Sequence, residues 1–330
     1  MTTLIQLIRT LSPFLCIIIV TSCNSDAPAD VEADPNFKDK STDVRVVVGD
    51  SAHLSAPQFI TTPPLPQSIS FAGETVPLHR SDVREALENE LTVNMFRHSR
   101  TMVALKNIER WRPLVEKTLQ ENDVPADFIY LGVAESELDN NAESYVGATG
   151  MWQFMEATAK DFDLPISKDV DMRRDPKLST EAACRYLRWA YEQLGDWTLV
   201  AASYNRGVSG IQKALKEQQA DSFYDLHLNQ ETARYVYRIL AFKLILENPE
   251  AYGYFLKPEE RYKPYAYTVV TVDEDIDDLV TYAKKHNTTY KELRLLNPWF
   301  NNTSSYKLNV PRKTTFEIRI PAATTDGIRK

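Results

Sequence analysis

From Ser81 onward apolar residues return every three or four positions, and that period leaves little room for any fold but a helical one. Val83, Leu87, Leu91 and Val93 set the rhythm, and Met102, Leu105, Ile108, Trp111, Leu114, Val115 and Leu119 continue it. The same spacing predicts helices over 126–139, 151–161, 180–194, 197–204, 208–217 and 230–247. Their breaks are chemically sensible: Pro125, the Gly147–Gly150 turn, Pro165, Pro176, Gly195, Gly207 and Pro249. Strands do not alternate with these helices, and no Gly-rich phosphate loop interrupts them. Residues 77–250 therefore read as a compact all-α domain.

The flanks differ in character. After a Tyr- and Pro-rich connector at 251–265, residues 266–322 read as a small α+β unit. It has a strand at Tyr267–Val272, helices at Ile276–Lys285 and Tyr290–Leu296, and an alternating strand at Phe316–Ile320. On the other side, residues 23–76 are rich in Pro, Asp, Ser and Thr and read as a disordered tether, with one stray valine run at Arg45–Gly49. Residues 1–22 resemble a secretion signal. The apolar run Leu11–Val20 is too short for a bilayer span, which needs roughly 17–25 residues. It ends in Val20-Thr21-Ser22-Cys23, which resembles a bacterial lipobox and makes Cys23 the expected lipidation site. Cys16 leaves with the signal, so Cys184 alone remains as a thiol and no disulfide framework is expected. The expected location is the cell envelope, as an outer-membrane lipoprotein facing the periplasm and held by a lipid anchor in the membrane.

Charge and motif content exclude several function classes. A formal net charge of −8 gives no electrostatic case for nucleic acid. His53, His79, His98, His227 and His286 are scattered, so neither a metal site nor a cofactor is expected. Gly207-Val208-Ser209-Gly210 is not a nucleophile elbow, because its second glycine comes one residue early.

Glu135 is the residue that asks for an explanation. On a helix it shares a face with Phe128, Leu131 and Leu138, where an ionised carboxylate is costly unless paired or protonated. Two readings follow: a buried glutamate satisfied by an arginine, or a carboxyl whose pKa is raised for acid catalysis. Three segments bear on the choice. In Gly147-Ala148-Thr149-Gly150-Met151-Trp152-Gln153-Phe154-Met155, paired glycines make a tight turn and Gln153 offers an amide. Tyr204 and Asn205 stand at a helix end in Ala201-Ala202-Ser203-Tyr204-Asn205-Arg206-Gly207. The third segment is Glu231-Thr232-Ala233-Arg234-Tyr235-Val236. Rings for sugar faces, amides for acetamido groups and one carboxyl suit a glycan site. Taken singly, Trp152 and Phe154 read better as core.

In this order and spacing the segments resemble the lysozyme-like (SLT-domain) lytic transglycosylases over about residues 95–250. Glu135-Ser136, Gly-x-x-Gly-x-Trp-Gln-Phe-Met, Ala-x-Tyr-Asn-x-Gly and Glu-Thr-x-x-Tyr-Val are similar to the membrane-bound lytic transglycosylase D branch. Val170-Asp171-Met172-Arg173-Arg174-Asp175-Pro176 fits that branch as well. Met151, Met172 and Ser203 depart from its usual Leu, Glu and Ala. The C-terminal unit, with Tyr267-Thr268-Val269 and Leu295-Leu296-Asn297-Pro298, resembles a LysM module. Val272-Asp273-Glu274-Asp275 stands where that module has its Gly-Asp-Thr turn.

The resemblance implies a mainly α protein: a lysozyme-like all-α catalytic domain followed by a small α+β LysM-like module. It implies peptidoglycan glycan strands as the partner and Glu135 as the single catalytic acid. Glu135 would protonate the MurNAc–GlcNAc oxygen, then as a carboxylate accept the proton of the MurNAc 6-hydroxyl, leaving a 1,6-anhydro end. Ser136 would position Glu135; Gln153, Tyr204, Asn205 and Tyr235 would line the cleft; Glu231 would buttress it. Arg173, Arg174 and Asp175 are expected in structural ion pairs, and Trp299 and Phe300 as sugar contacts or packing. The alternatives are a hydrolytic muramidase with a second carboxylate, for which Asp139 is the first candidate, and a non-catalytic peptidoglycan-binding scaffold. The sequence names no protein partner.

Overall fold

The computed structural model describes residues 60–301 and 306–322; the signal segment, Cys23 and the valine run at Arg45–Gly49 lie outside them. A short antiparallel hairpin, β1 (Ser70–Phe71) and β2 (Glu74–Thr75), precedes α1 (Ser81–Phe96) and α2 (His98–Glu121). A single 3-10 turn at Ala126–Phe128 leads into α3 (Ile129–Ser136). Then come α4 (Glu156–Asp161), α5 (Pro176–Leu194), α6 (Trp197–Arg206), α7 (Val208–Gln218) and α8 (Gln230–Glu247). The C-terminal module is β3 (Tyr267–Val272), α9 (Leu279–Lys285), α10 (Tyr290–Leu296) and β4 (Phe316–Pro321). The protein is thus mainly helical with a small strand-containing module at its end.

Local chemistry explains where the main helices start and stop. The Asp175 carboxylate accepts from the backbone N–H groups of Lys177 and Leu178 at 2.9 Å, and Pro176 opens α5 where its missing donor is harmless. Gly195 ends that helix with φ +68°. Asp196 and Asn229 cap α6 and α8 in the same way. The apolar faces then meet: α1 lies on α8, α2 on α5, and α3 on α8. Leu87, Leu91, Leu105, Leu131, Leu187, Ile239 and Leu240 are shut off from solvent in this core, each stabilising the fold by about 1.5–3 kcal/mol. Among the described residues no helix is long and apolar enough to cross a membrane.

The expected tether over 23–76 reaches too far. Ile69, Phe71 and Val76 are buried against the helices, and Phe71 meets Phe128 edge to face. Glu74 receives the N–H groups of Trp197 and Thr198 at 2.6 and 2.8 Å and so covers the start of α6. Composition hid this segment, because its partners, Phe128, Trp197 and Thr198, lie far along the chain. The helix expected over 151–161 is also shorter, since Met151–Phe154 form a turn and only Glu156–Asp161 are helical. Likewise α9 begins at Leu279 rather than at residue 276, because Ile276 bridges to Leu308 and Asp278 caps the helix.

In the C-terminal module β3 and β4 pair antiparallel from Tyr267↔Pro321 to Val272↔Phe316, with α9 and α10 between them in sequence. Trp299 and Phe300 are buried, 1% and 2% exposed, so they serve packing and not sugar contact. Backbone bonds tie the module to the helical domain: the Asp171 N–H donates to Trp299 O and the Asn301 N–H to Asp169 O, both 2.8 Å. Arg319 crosses to Asp175 with both guanidinium nitrogens, at 2.5 and 3.2 Å, in a pair that is almost fully buried. A buried pair of this kind carries a large desolvation cost, and it favours one arrangement of the two parts.

Candidate functional site

Glu135 sits in the last turn of α3 because the helix stops abruptly: Glu137 and Leu138 adopt left-handed φ of +53° and +60°. Leu138 therefore lies outside the helix, though it is buried beside it. Gly132, one turn before Glu135, leaves room for both Leu138 and the Trp152 indole, which a Cβ there would meet at 3.0 and 3.7 Å. Sequence reasoning passed over this glycine, and its only signal was a glycine inside an apolar helix.

The turn after α3 is held from several sides. Gly150 has φ +84°, and a Cβ there would fall 2.0 Å from the Arg173 carbonyl oxygen, so only glycine fits. The Arg173 guanidinium donates to the Gly147 and Phe154 carbonyls at 2.9 and 3.0 Å while paired with Asp171. Ser136 donates to Met151 O at 2.7 Å, Tyr204 donates to Trp152 O at 2.8 Å, and the Trp152 indole donates to Thr180 Oγ1 at 2.9 Å. Trp152 and Phe154 are core residues. Gln153 is half-buried at φ +50°, and its amide nitrogen donates to Gly150 O at 2.8 Å, so the donor is engaged by its own turn.

The hydroxyl of Tyr235, on α8, donates to the Glu135 carboxylate. Burial pushes the Glu135 carboxyl up to about 7; the Tyr235 hydroxyl and the Arg238 charge oppose the rise, and Glu231 adds to it. Tyr204 and Tyr235 are pushed upward in turn, first by burial and then by the charge of Glu135. Among the described residues Glu135 has a tyrosine and no arginine as its hydrogen-bond partner, and desolvation outweighs the charge of Arg238. A carboxyl poised near neutrality can give a proton and take it back.

The remaining expected residues fall around this pair. Asn205 is exposed and its side-chain oxygen accepts from the Thr232 hydroxyl at 2.8 Å. Glu231 is exposed and meets Arg238 at 3.4 Å. Ser136 reaches Glu135 through the backbone, with its hydroxyl turned to Met151. Neighbouring carboxylates have other partners: Glu137 pairs with Arg100, and Asp139 accepts the Asn141 N–H at 2.9 Å. Arg174 pairs with Glu143 at 2.6 Å. The sequence did not point to Glu90, a buried carboxylate on α1 held by Arg234 at 2.5 Å and Arg238 at 3.7 Å.

The helical body and the βααβ module are separately similar to an SLT-type domain and a LysM-like domain. The chain does carry both: a Transglycosylase SLT domain matches residues 113–226, and a Soluble lytic transglycosylase C-terminal LysM-like domain matches residues 268–324. Glu135 falls inside the first match and Tyr235 just beyond it. The chain is distantly similar to Membrane-bound lytic murein transglycosylase D of Escherichia coli K12, 31% identical over 176 residues. That match covers 52% of this chain and 38% of the relative, so the chain spans well under half of it. It is also 30% identical over 98 residues to a Putative tributyltin chloride resistance protein of Alteromonas, covering 29% of this chain and 47% of that one. Among solved structures, the 70 kDa soluble lytic transglycosylase of Escherichia coli aligns at 20% identity and a TM-score of 0.36, over 47% of this chain and 27% of that one. An inactive mutant of the lytic transglycosylase Slt from Pseudomonas aeruginosa aligns at 22% and 0.36, over 46% and 26%.

Proposed function

We propose that the protein is a peptidoglycan lytic transglycosylase that cleaves the β-1,4 bond between MurNAc and GlcNAc, with Glu135 acting first as acid and then as base. The observation that carries this is the half-buried Glu135 carboxyl at the end of α3, held by the Tyr235 hydroxyl, and desolvation supports it by pushing the carboxyl up to about 7. As an acid it protonates the departing GlcNAc oxygen. As a carboxylate it then receives the proton of the MurNAc 6-hydroxyl, whose oxygen closes on the anomeric carbon. No water enters, so a second carboxylate to activate water is not needed, in contrast to a two-carboxylate glycosidase. Glu137, Asp139 and Glu231, each engaged elsewhere, suit this route.

Tyr235 steadies the carboxylate form, while Ser136 and Tyr204 hold the Met151–Trp152 backbone beside it. The Gln153 side-chain oxygen and the Asn205 side-chain nitrogen, the halves of each amide not engaged within the protein, would meet the acetamido groups of the strand. Cys23 would carry the lipid that anchors the protein to the outer membrane from the periplasmic side. Digestion of purified peptidoglycan by a lipid-free form, read by mass spectrometry, tests the proposal. Products lighter by one water than hydrolytic ones, absent with Glu135→Gln, are expected. Reducing-end products would make the protein a muramidase, and binding without cleavage would make it a scaffold.

A further inference from the structure

A second site lies between α2, the first turn of α5 and the C-terminal module, in a cavity of about 360 Å³. That volume falls in the range of small-ligand sites, about 300–1,000 Å³. One wall is aromatic: Trp111 and Tyr265 meet edge to face at 6.3 Å, and Tyr267 continues the surface from β3. Tyr267 is 38% exposed, and Tyr265 and Trp111 are half-buried, Trp111 also packing against the core, so the wall keeps aromatic surface open to the cavity. They are also held in place. The Arg110 guanidinium lies 4.2 Å from the Tyr265 ring and Arg319 lies 5.6 Å from the Tyr267 ring. A wall fixed in advance loses little entropy when something binds to it.

The rim is cationic in a chain whose net charge is −8. Arg110, Lys117, Lys177 and Arg319 line the cavity and Glu121 is the one acidic group there. Arg319 is committed to Asp175, and Arg110 to the rings and to Lys263 O. Lys117 and Lys177 are exposed, and each has a distant counterion, Glu121 at 3.7 Å and Glu317 at 3.8 Å. Exposed pairs this loose are worth little, so both ammonium groups remain available to an anion. The rings call for a flat or sugar-like body and the lysines for carboxylates attached to it.

We propose that this cleft is a second peptidoglycan site, which takes a muramoyl residue on its aromatic wall and the carboxylates of its stem peptide on Lys117 and Lys177. The inference rests on the reading of the protein as a peptidoglycan enzyme, yet the cleft shares no residue with the Glu135 site. Its role is to hold a peptide-bearing strand on the enzyme while Glu135 works elsewhere on the same polymer. A strand held at two places dissociates more slowly than one held at either alone.

The full chain should be titrated by calorimetry with N-acetylmuramoyl dipeptide, which has no glycosidic bond to cleave. Saturable binding is expected, weakened about ten-fold in the double variant Lys117→Gln/Lys177→Gln and about ten-fold by Tyr265→Leu, with thermal melting checked for both. N-acetylmuramic acid without the dipeptide should bind more weakly than the peptide-bearing probe, and the lysine variant should remove that difference. Cleavage of peptide-free glycan should be unchanged in the lysine variant. Absence of binding, or binding unchanged in the folded lysine variant, would overturn the proposal; the latter result would place the fragment at the Glu135 site. If fragment binding and its loss behave as expected while no strand is cleaved, the cleft stands and the catalytic reading fails.

Discussion

Helix α8 presents adjacent residues to two glutamates, Glu90 fully buried and Glu135 half-buried, and treats them in opposite ways. Arg234 turns to Glu90 on α1, and Tyr235 turns to Glu135 on α3. Glu90 is 1% exposed and meets guanidinium groups at 2.5 and 3.7 Å, which compensates its charge and ties α1 to α8. Glu135 has a phenol for its partner and is raised to about 7. Burial alone therefore does not decide what a carboxyl can do. The partner does: an arginine makes the buried glutamate part of the architecture, and a neutral donor leaves it a proton to exchange.

The comparison breaks most visibly at Glu135. Glu135→Gln should lower strand cleavage by about a thousand-fold, roughly 4 kcal/mol in barrier, because a general acid contributes about 10²–10⁴ in rate. The same variant should change the pH dependence of stability. The native pKa of Glu135 is raised from 4.5 to about 7, so between these values the native state holds more proton than the unfolded chain. Stability from this group is full below pH 4.5 and falls by roughly 3 kcal/mol as pH rises through 7. Urea unfolding across that window should show the slope in the wild type and a flatter line in Glu135→Gln.

Glu90→Gln should do the reverse, costing about 2 kcal/mol of stability while leaving cleavage within a few-fold, as measured by thermal melting and product release. It also releases Arg238 from one of its two carboxylates. The pH at which activity is half lost should therefore move down, because an unshared Arg238 favours ionised Glu135 more strongly. Tyr235→Phe removes the donor that stabilises the Glu135 carboxylate, so that midpoint should move above about 7 and the maximal rate should fall about ten-fold. A pH–rate profile separates the two shifts by sign. The smallest expected effect is that of Ser136→Ala, which loses the 2.7 Å bond to Met151 O and should cost about 1 kcal/mol in melting.

The sequence carried much of this because its signals are local. Apolar spacing located α1, α2 and α5 to α8, alternation and turn residues located β3 and β4, and the apolar face of α3 together with the motifs that follow it made Glu135 the candidate acid. What stayed hidden depends on distant partners or on backbone conformation. The Glu90–Arg234 and Asp175–Arg319 pairs each join residues 144 positions apart, and no spacing rule reaches that far. Gln153 reads as helical by period, but Gly150 and the Arg173 carbonyl force a turn with φ +50° at Gln153. The hairpin at 70–75 has the composition of a linker, and only its seat on α6 and the Ala126–Phe128 turn makes it part of the fold.

The most direct test is the titration of Glu135 itself, by NMR of carboxyl carbons in ¹³C-glutamate-labelled protein, with Glu135→Gln to assign the resonance. A midpoint near 7 is predicted, with Glu135 still partly protonated at neutral pH. A midpoint at the ordinary glutamate value of about 4.3 would contradict the account, because Glu135 would then have no proton to give at neutral pH.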